Sequence, residues 1–144
     1  MAPMKYKTNA TALYLSLSPG EEIITCLSDL ARREGLEAAW VVGIGVAKDL
    51  ELGFYRGQSQ DYLTRRFAGD YEILSLTGNL SLKDKVPMVH LHGSFSGEDF
   101  GVIGGHFMAG TISAAGEFWV YPGSEPLHRA FAPSLNLHVW DLES

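Results

Sequence analysis

Between Val86 and Gly110 the chain runs VPMVHLHGSFSGEDFGVIGGHFMAG, and the alternation in this stretch dictates two extended segments joined by a turn. Side chains two apart on a strand share a face, so Val89, Leu91 and Phe95 form one face and His90 and His92 the other. The second run repeats the pattern, with Ile103, Phe107 and Ala109 apolar and Gly104 and His106 on the complementary side. Directly opposed residues of an antiparallel pair lie on the same face, so the two apolar faces become continuous only if His106 stands opposite His90 or His92. Pairing with His92 closes a five-residue loop over residues 97–101, and pairing with His90 closes one over residues 96–100. An even-numbered loop without a bulge would turn His106 to the far side.

That register gathers three of the chain's five histidines. His90 and His92 project side by side, with alpha carbons about 6–7 Å apart, and His106 faces them from the neighbouring strand. A lone strand histidine is ordinarily a half-buried residue with a satisfied hydrogen bond; three neutral imidazoles converging from a hairpin make a metal site instead. Zinc is favoured over nickel, copper or iron, all of which accept imidazole. Gly104 leaves room beside the ion for a ligand. His128, within the proline-rich PGSEPLHRAFAP, and His138, within LNLHVWDL, lack such company and are expected to be structural.

The remaining segments describe an α+β domain with a largely antiparallel sheet and one long capped helix packed on it. Strands are expected over residues 11–17, 38–46, 50–55, 71–82, 114–121 and 135–142, with a short helix at Ser59–Phe67. Ser18-Pro19-Gly20-Glu21 has the form of a reciprocal capping box, and Ile23, Ile24, Leu27, Leu30 and Ala31 recur at helical spacing up to a terminator, Gly35. Gly43-Ile44-Gly45 lacks the third glycine of a dinucleotide fingerprint and is followed by a strand pattern, so it signals a bend or bulge, or close approach by a neighbouring chain. No repeat or linker divides residues 1–144, whose core is expected over about residues 10–142. A net charge of −6 offers no basic face for nucleic acid, and the pairs Arg32–Arg33 and Arg65–Arg66 are expected to be solvated. The single Cys26 excludes an intrachain disulfide and fits a reduced compartment. With no membrane-length apolar run and no signal-peptide pattern, a cytoplasmic location is expected.

The segments VVGIGVAKDLELGFY, YEILSLTGNLSL and PMVHLHGSFSGEDFGVIGGHFMAGTISAAGEFWV occur in an order that resembles the plant and prokaryote conserved (PPC) domain, over about residues 10–142. The resemblance implies a compact α+β subunit assembling into a homotrimer and, as in many prokaryotic members, a metal at the His-x-His and Gly-Gly-His positions, here His90, His92 and His106. Plant members that resemble this domain carry separate Arg-Gly-Arg-Pro hooks that enter the DNA minor groove. This sequence has no such cationic arm, which removes the physical basis for direct DNA recognition.

Three functions follow. One is a homotrimeric metal-binding module for sensing an unknown small molecule or for assembly with a protein partner. Another is a metal-dependent enzyme, in which zinc lowers the pKa of water at its open position and Glu117, or less favourably Glu98 or Asp99, handles protons. An ordinary ion-paired strand carboxylate is the alternative reading of Glu117. The third is a transcription-associated DNA-binding protein.

Overall fold

The computed structural model describes residues 4–144, built from eight strands and one helix. Strands β1 (Lys5–Thr8) and β2 (Leu13–Leu17) form an opening hairpin, followed by helix α1 (Ile23–Glu34). Three long strands carry most of the chain: β3 (Ala39–Arg56), β4 (Asp61–Lys83) and β6 (Val102–Pro122), with the shorter β5 (Val86–Ser96) between the last two. A final hairpin comprises β7 (His128–Ala132) and β8 (Leu137–Asp141). Among the described residues, no helix is long and apolar enough to cross a membrane.

The long strands pair antiparallel in a closed circuit, β3 with β4, β4 with β5, β5 with β6, and β6 back to β3. Such closure satisfies backbone groups that an open sheet would leave at its edges. β2 extends the sheet beyond β6, and β7 joins β4 through only two parallel pairs, Leu82 with His128 and Lys83 with Arg129. The circuit needs sharp changes of strand direction, and β3 supplies them at two register shifts. One spans Gly43 to Gly45 and the other Lys48 to Leu50, where Asp49 adopts φ 55°. Gly45, at φ 153°, also lies where a Cβ would come within 2.2 Å of the Ala115 carbonyl oxygen. The two sequence segments expected at residues 38–46 and 50–55 are therefore one bulged strand. Of the readings open to the glycine pair, the register shift between Gly43 and Gly45 is a bulge.

Leu91, Phe95 and Phe107 are buried on the inner face together with Leu50, Leu76 and Ile112. Helix α1 closes over them through Ile23, Cys26, Leu27, Leu30 and Ala31. Its end follows expectation: Gly35 adopts the left-handed conformation and the Leu36 N–H donates to the Ala31 carbonyl at 2.9 Å. Its start does not. The Ser18 N–H does donate to Glu21 Oε2 at 2.6 Å, but this bond closes a turn ahead of the helix. Gly20 is left-handed, and the Gly20 N–H and Glu21 carbonyl are both occupied by Ile112, each at 2.9 Å. The helix consequently begins later, capped by Glu22, whose carboxylate accepts from the Thr25 N–H at 2.7 Å.

Two further expectations are corrected. No helix forms over Ser59–Phe67, because Asp61 ties to Arg56 across the hairpin tip and Tyr62, Leu63 and Thr64 pair with Tyr55, Phe54 and Gly53. Cross-strand partners override the weak local periodicity. His128 lies in strand β7, half-buried, rather than in a loop. Its strand is ordered by β8, the next strand in sequence, and by β4, which is distant in sequence.

Candidate metal centre

The hairpin of β5 and β6 takes the first of the two registers allowed by alternation. His92 opposes His106, Leu91 opposes Phe107 and Phe95 opposes Ile103, leaving residues 97–101 as the loop. The loop is fastened by the Gly97 and Gly101 backbones and by Asp99, whose carboxylate accepts from the Gly101 N–H at 2.9 Å. Burying Leu91, Phe95 and Phe107 thus forces the histidines outward together. Glycine permits the close approach behind them: a Cβ on Gly78 would sit 1.9 Å from the His90 carbonyl oxygen.

The three imidazoles form a near-equilateral triangle, with ring centroids 5.0 Å apart for His90 and His92, 5.1 Å for His90 and His106, and 5.4 Å for His92 and His106. One ring nitrogen from each lies within 4.8 Å of the others, so the group could hold a metal ion. His90 Nε2 and His92 Nε2 are 3.2 Å apart, close to the roughly 3.3 Å edge of a tetrahedron with zinc–nitrogen bonds of about 2.0–2.1 Å. His106 Nδ1 is buried without a hydrogen-bond partner. Buried polar atoms are rarely left so, and a cluster of neutral nitrogen donors fits a borderline-soft divalent cation.

Electrostatics keep the donors available. Burial first, and then the charges of His106, Arg129 and His92, push the His90 pKa down to about 4. Burial, followed by His92, also lowers that of His106. Neutral rings expose a lone pair for coordination.

Side chains from distant segments support the cluster. The Arg129 guanidinium donates to Ser81 Oγ at 2.6 Å, to Asn79 Oδ1 at 2.8 Å and to the His138 carbonyl at 3.0 Å, and lies 3.5 Å from His90 Nδ1. Tyr62 covers His106 from the far hairpin, with ring centroids 4.9 Å apart, and Gly53, opposite His106, leaves the space that Tyr62 occupies. No motif or spacing in the sequence marks Arg129 or Tyr62. A trace was present for Asn79, since Ser75, Thr77, Asn79 and Ser81 alternate with Leu76, Gly78, Leu80 and Leu82 and mark a polar face on β4. His138 lies tilted against Phe131, with ring centroids 5.3 Å apart, and is not part of the cluster.

Glu117 is not brought to the cluster within the chain. It lies eleven residues beyond His106 on β6, opposite Ser16 and Ile44, separated by about 36 Å of extended strand. Glu98 and Asp99 occupy the exposed hairpin loop.

Fold and site together define a single-domain protein of mostly antiparallel sheet whose outer face carries a three-histidine cluster able to hold a metal ion. The family model for the Plants and Prokaryotes Conserved (PCC) domain matches residues 4–123, and the chain belongs to that family. Among solved structures it is similar to a Bacteroides thetaiotaomicron protein at 29% identity and TM-score 0.95, covering 98% of this chain and 99% of that one. That protein is named provisionally as DNA-binding. A plant- and prokaryote-conserved protein from Pyrococcus horikoshii matches at 29% identity and TM-score 0.85, with 100% and 98% covered. A protein from Archaeoglobus fulgidus, described as metal-containing, matches at 28% identity and TM-score 0.84, with 97% and 99% covered. A search of curated protein sequences found no match.

Proposed function

We propose that this chain binds a divalent metal ion, zinc, through His90, His92 and His106, and that it acts as a homotrimer in sensing a small ligand or in assembly with a protein partner. The observation that carries the reading is the convergence of three ring nitrogens within 4.8 Å of one another. The 3.2 Å separation of two of them and the unpartnered His106 Nδ1 agree with it, as does the metal-containing description of the Archaeoglobus relative. A bound zinc ion would supply Lewis acidity at a position left free by three protein donors. The protein's part is to hold the His90 and His106 rings neutral through burial and to aim all three rings through the paired backbones of β5 and β6. The trimer rests on the family resemblance and on exposed aromatic surface at Trp40, Trp119 and Tyr121, which self-association would cover. An acid–base role for Glu117 requires that a second copy carry it to the cluster, so no reaction is assigned.

Elemental analysis of tag-free protein purified without added metal tests the ligand set. Wild type is expected to hold one zinc per chain, and His90→Ala and His106→Ala to lose it; equal metal in all three would refute the assignment. Light scattering measures the trimer. The names of some relatives also raise DNA binding. Here the net charge is −6, while Arg32 and Arg66 are engaged by Asp29 and Glu51, so micromolar protein is expected not to retard duplex DNA at physiological salt.

A further inference from the structure

Beside His92 the outer face opens into a hollow of about 230 Å³ lined by Ser75, Thr77, His92, Gly93, Ser94 and Gly105. Strand register builds it. Thr77 stands opposite His92 and Ser75 near Ser94 on the β4 side, while Gly104 stands opposite Ser94 on the β6 side. Three hydroxyls therefore line the space next to one imidazole donor. Across from them Gly104 contributes no side chain to fill it. A Cβ there would come within 2.8 Å of the Gly93 carbonyl oxygen.

The charge balance of the centre is incomplete. The clustered donors are three imidazoles with no carboxylate among them, so a divalent cation held there keeps its full charge. The Arg129 guanidinium, 3.5 Å from His90 Nδ1, adds another positive charge nearby. An anion at the remaining coordination position would offset part of this charge. The hollow contributes hydroxyl donors and no cation of its own, which matches a singly charged oxyanion better than a phosphate. The hollow is open to solvent and admits a small organic acid.

We propose that the fourth position of this metal site takes the carboxylate of a small organic acid, one oxygen on the ion and the other within reach of the Thr77 and Ser94 hydroxyls. This rests on the metal reading above. The acid binds as an intact ligand; no bond is made or broken in it.

The test uses the full chain loaded with cobalt(II), whose visible absorption reports its coordination, and acetate as the probe. Saturable change in the spectrum on adding acetate is expected in wild type. The double variant Thr77→Val, Ser94→Ala is expected to keep one cobalt per chain and to weaken acetate binding about tenfold, the loss of one or two hydrogen bonds. Stoichiometric cobalt with a spectrum insensitive to acetate would overturn the inference and leave the metal reading standing, since a protein group, from this copy or another, then fills the position. Equal acetate affinity in the double variant would likewise overturn it. Failure to bind cobalt at all would overturn the metal reading, and this inference with it.

Discussion

Replacing Arg129 by methionine is expected to loosen the last hairpin from the sheet and to lower stability by about 2–3 kcal/mol. The guanidinium joins three strands at once, reaching Asn79 and Ser81 on β4 and the His138 carbonyl on β8, where the backbone supplies only two pairs between β4 and β7. Hydrogen bonds from a charged donor are worth about 1.5–3 kcal/mol each. Much of that gross loss is returned, because the partly buried cation no longer has to be desolvated and methionine retains the aliphatic packing. The Asn79 carbonyl keeps the Trp140 indole N–H at 3.4 Å. Ser81, fully buried, loses the Arg129 donor to its hydroxyl, at a cost of about 1–3 kcal/mol. For a domain of this length the net corresponds to a fall in Tm of about 7–10 °C. Urea and thermal unfolding measure the loss, and hydrogen exchange is expected to locate it in β7 and β8 rather than β5. A cycle with Ser81→Ala supplies the decisive comparison, with a coupling of about 1 kcal/mol expected between neighbours in one network. Additive effects, or a loss below about 0.5 kcal/mol, would refute the view that this side chain fastens the hairpin.

Gly78→Ala should drive β5 from β4, since its Cβ would meet the His90 carbonyl oxygen at 1.9 Å; reduced metal content together with a lower unfolding midpoint is expected, and unchanged values for both would contradict the close packing. In metal-free protein the His90 ring should titrate near pH 4, against about 6.5 when unfolded. The unfolded chain then binds the extra proton between those values, so the contribution of neutral His90 to stability is complete above pH 6.5 and disappears as pH falls toward 4. Comparing wild type with His90→Gln isolates this term: their stability difference should change across that window, and a flat difference would count against it. Burial foremost, then Glu21, Glu22 and Asp29, raise the Cys26 thiol to about 11; at pH 8 the thiolate fraction is about a thousandth, so labelling by a thiol reagent should wait for denaturant. Rapid labelling of native protein would show that α1 opens locally.

Alternation alone determined the chemistry-bearing element of this protein. Once Leu91, Phe95 and Phe107 had to share an interior, His90, His92 and His106 had to share an exterior, and an odd loop was the only economical way to close the hairpin. Gly35 was likewise readable as the helix end, because a left-handed residue at that point has a local cause. Tertiary contacts decided the rest. Ser18 carries the form of a helix cap, yet Ile112 claims the backbone of Gly20 and Glu21 and delays the helix to Ile23. The segment Ser59–Phe67 has no strong local preference; Ser59 and Gln60 form the turn, and Asp61 to Phe67 become strand because β3 is beside them. Closure of β3, β4, β5 and β6 into one circuit, and the arrival of Arg129 next to Asn79, fifty residues away, depend on pairings between segments distant in the chain. Local sequence encodes the period of a strand and the side each residue takes; which strands become neighbours is set by the free energy of burying all their inner faces at once.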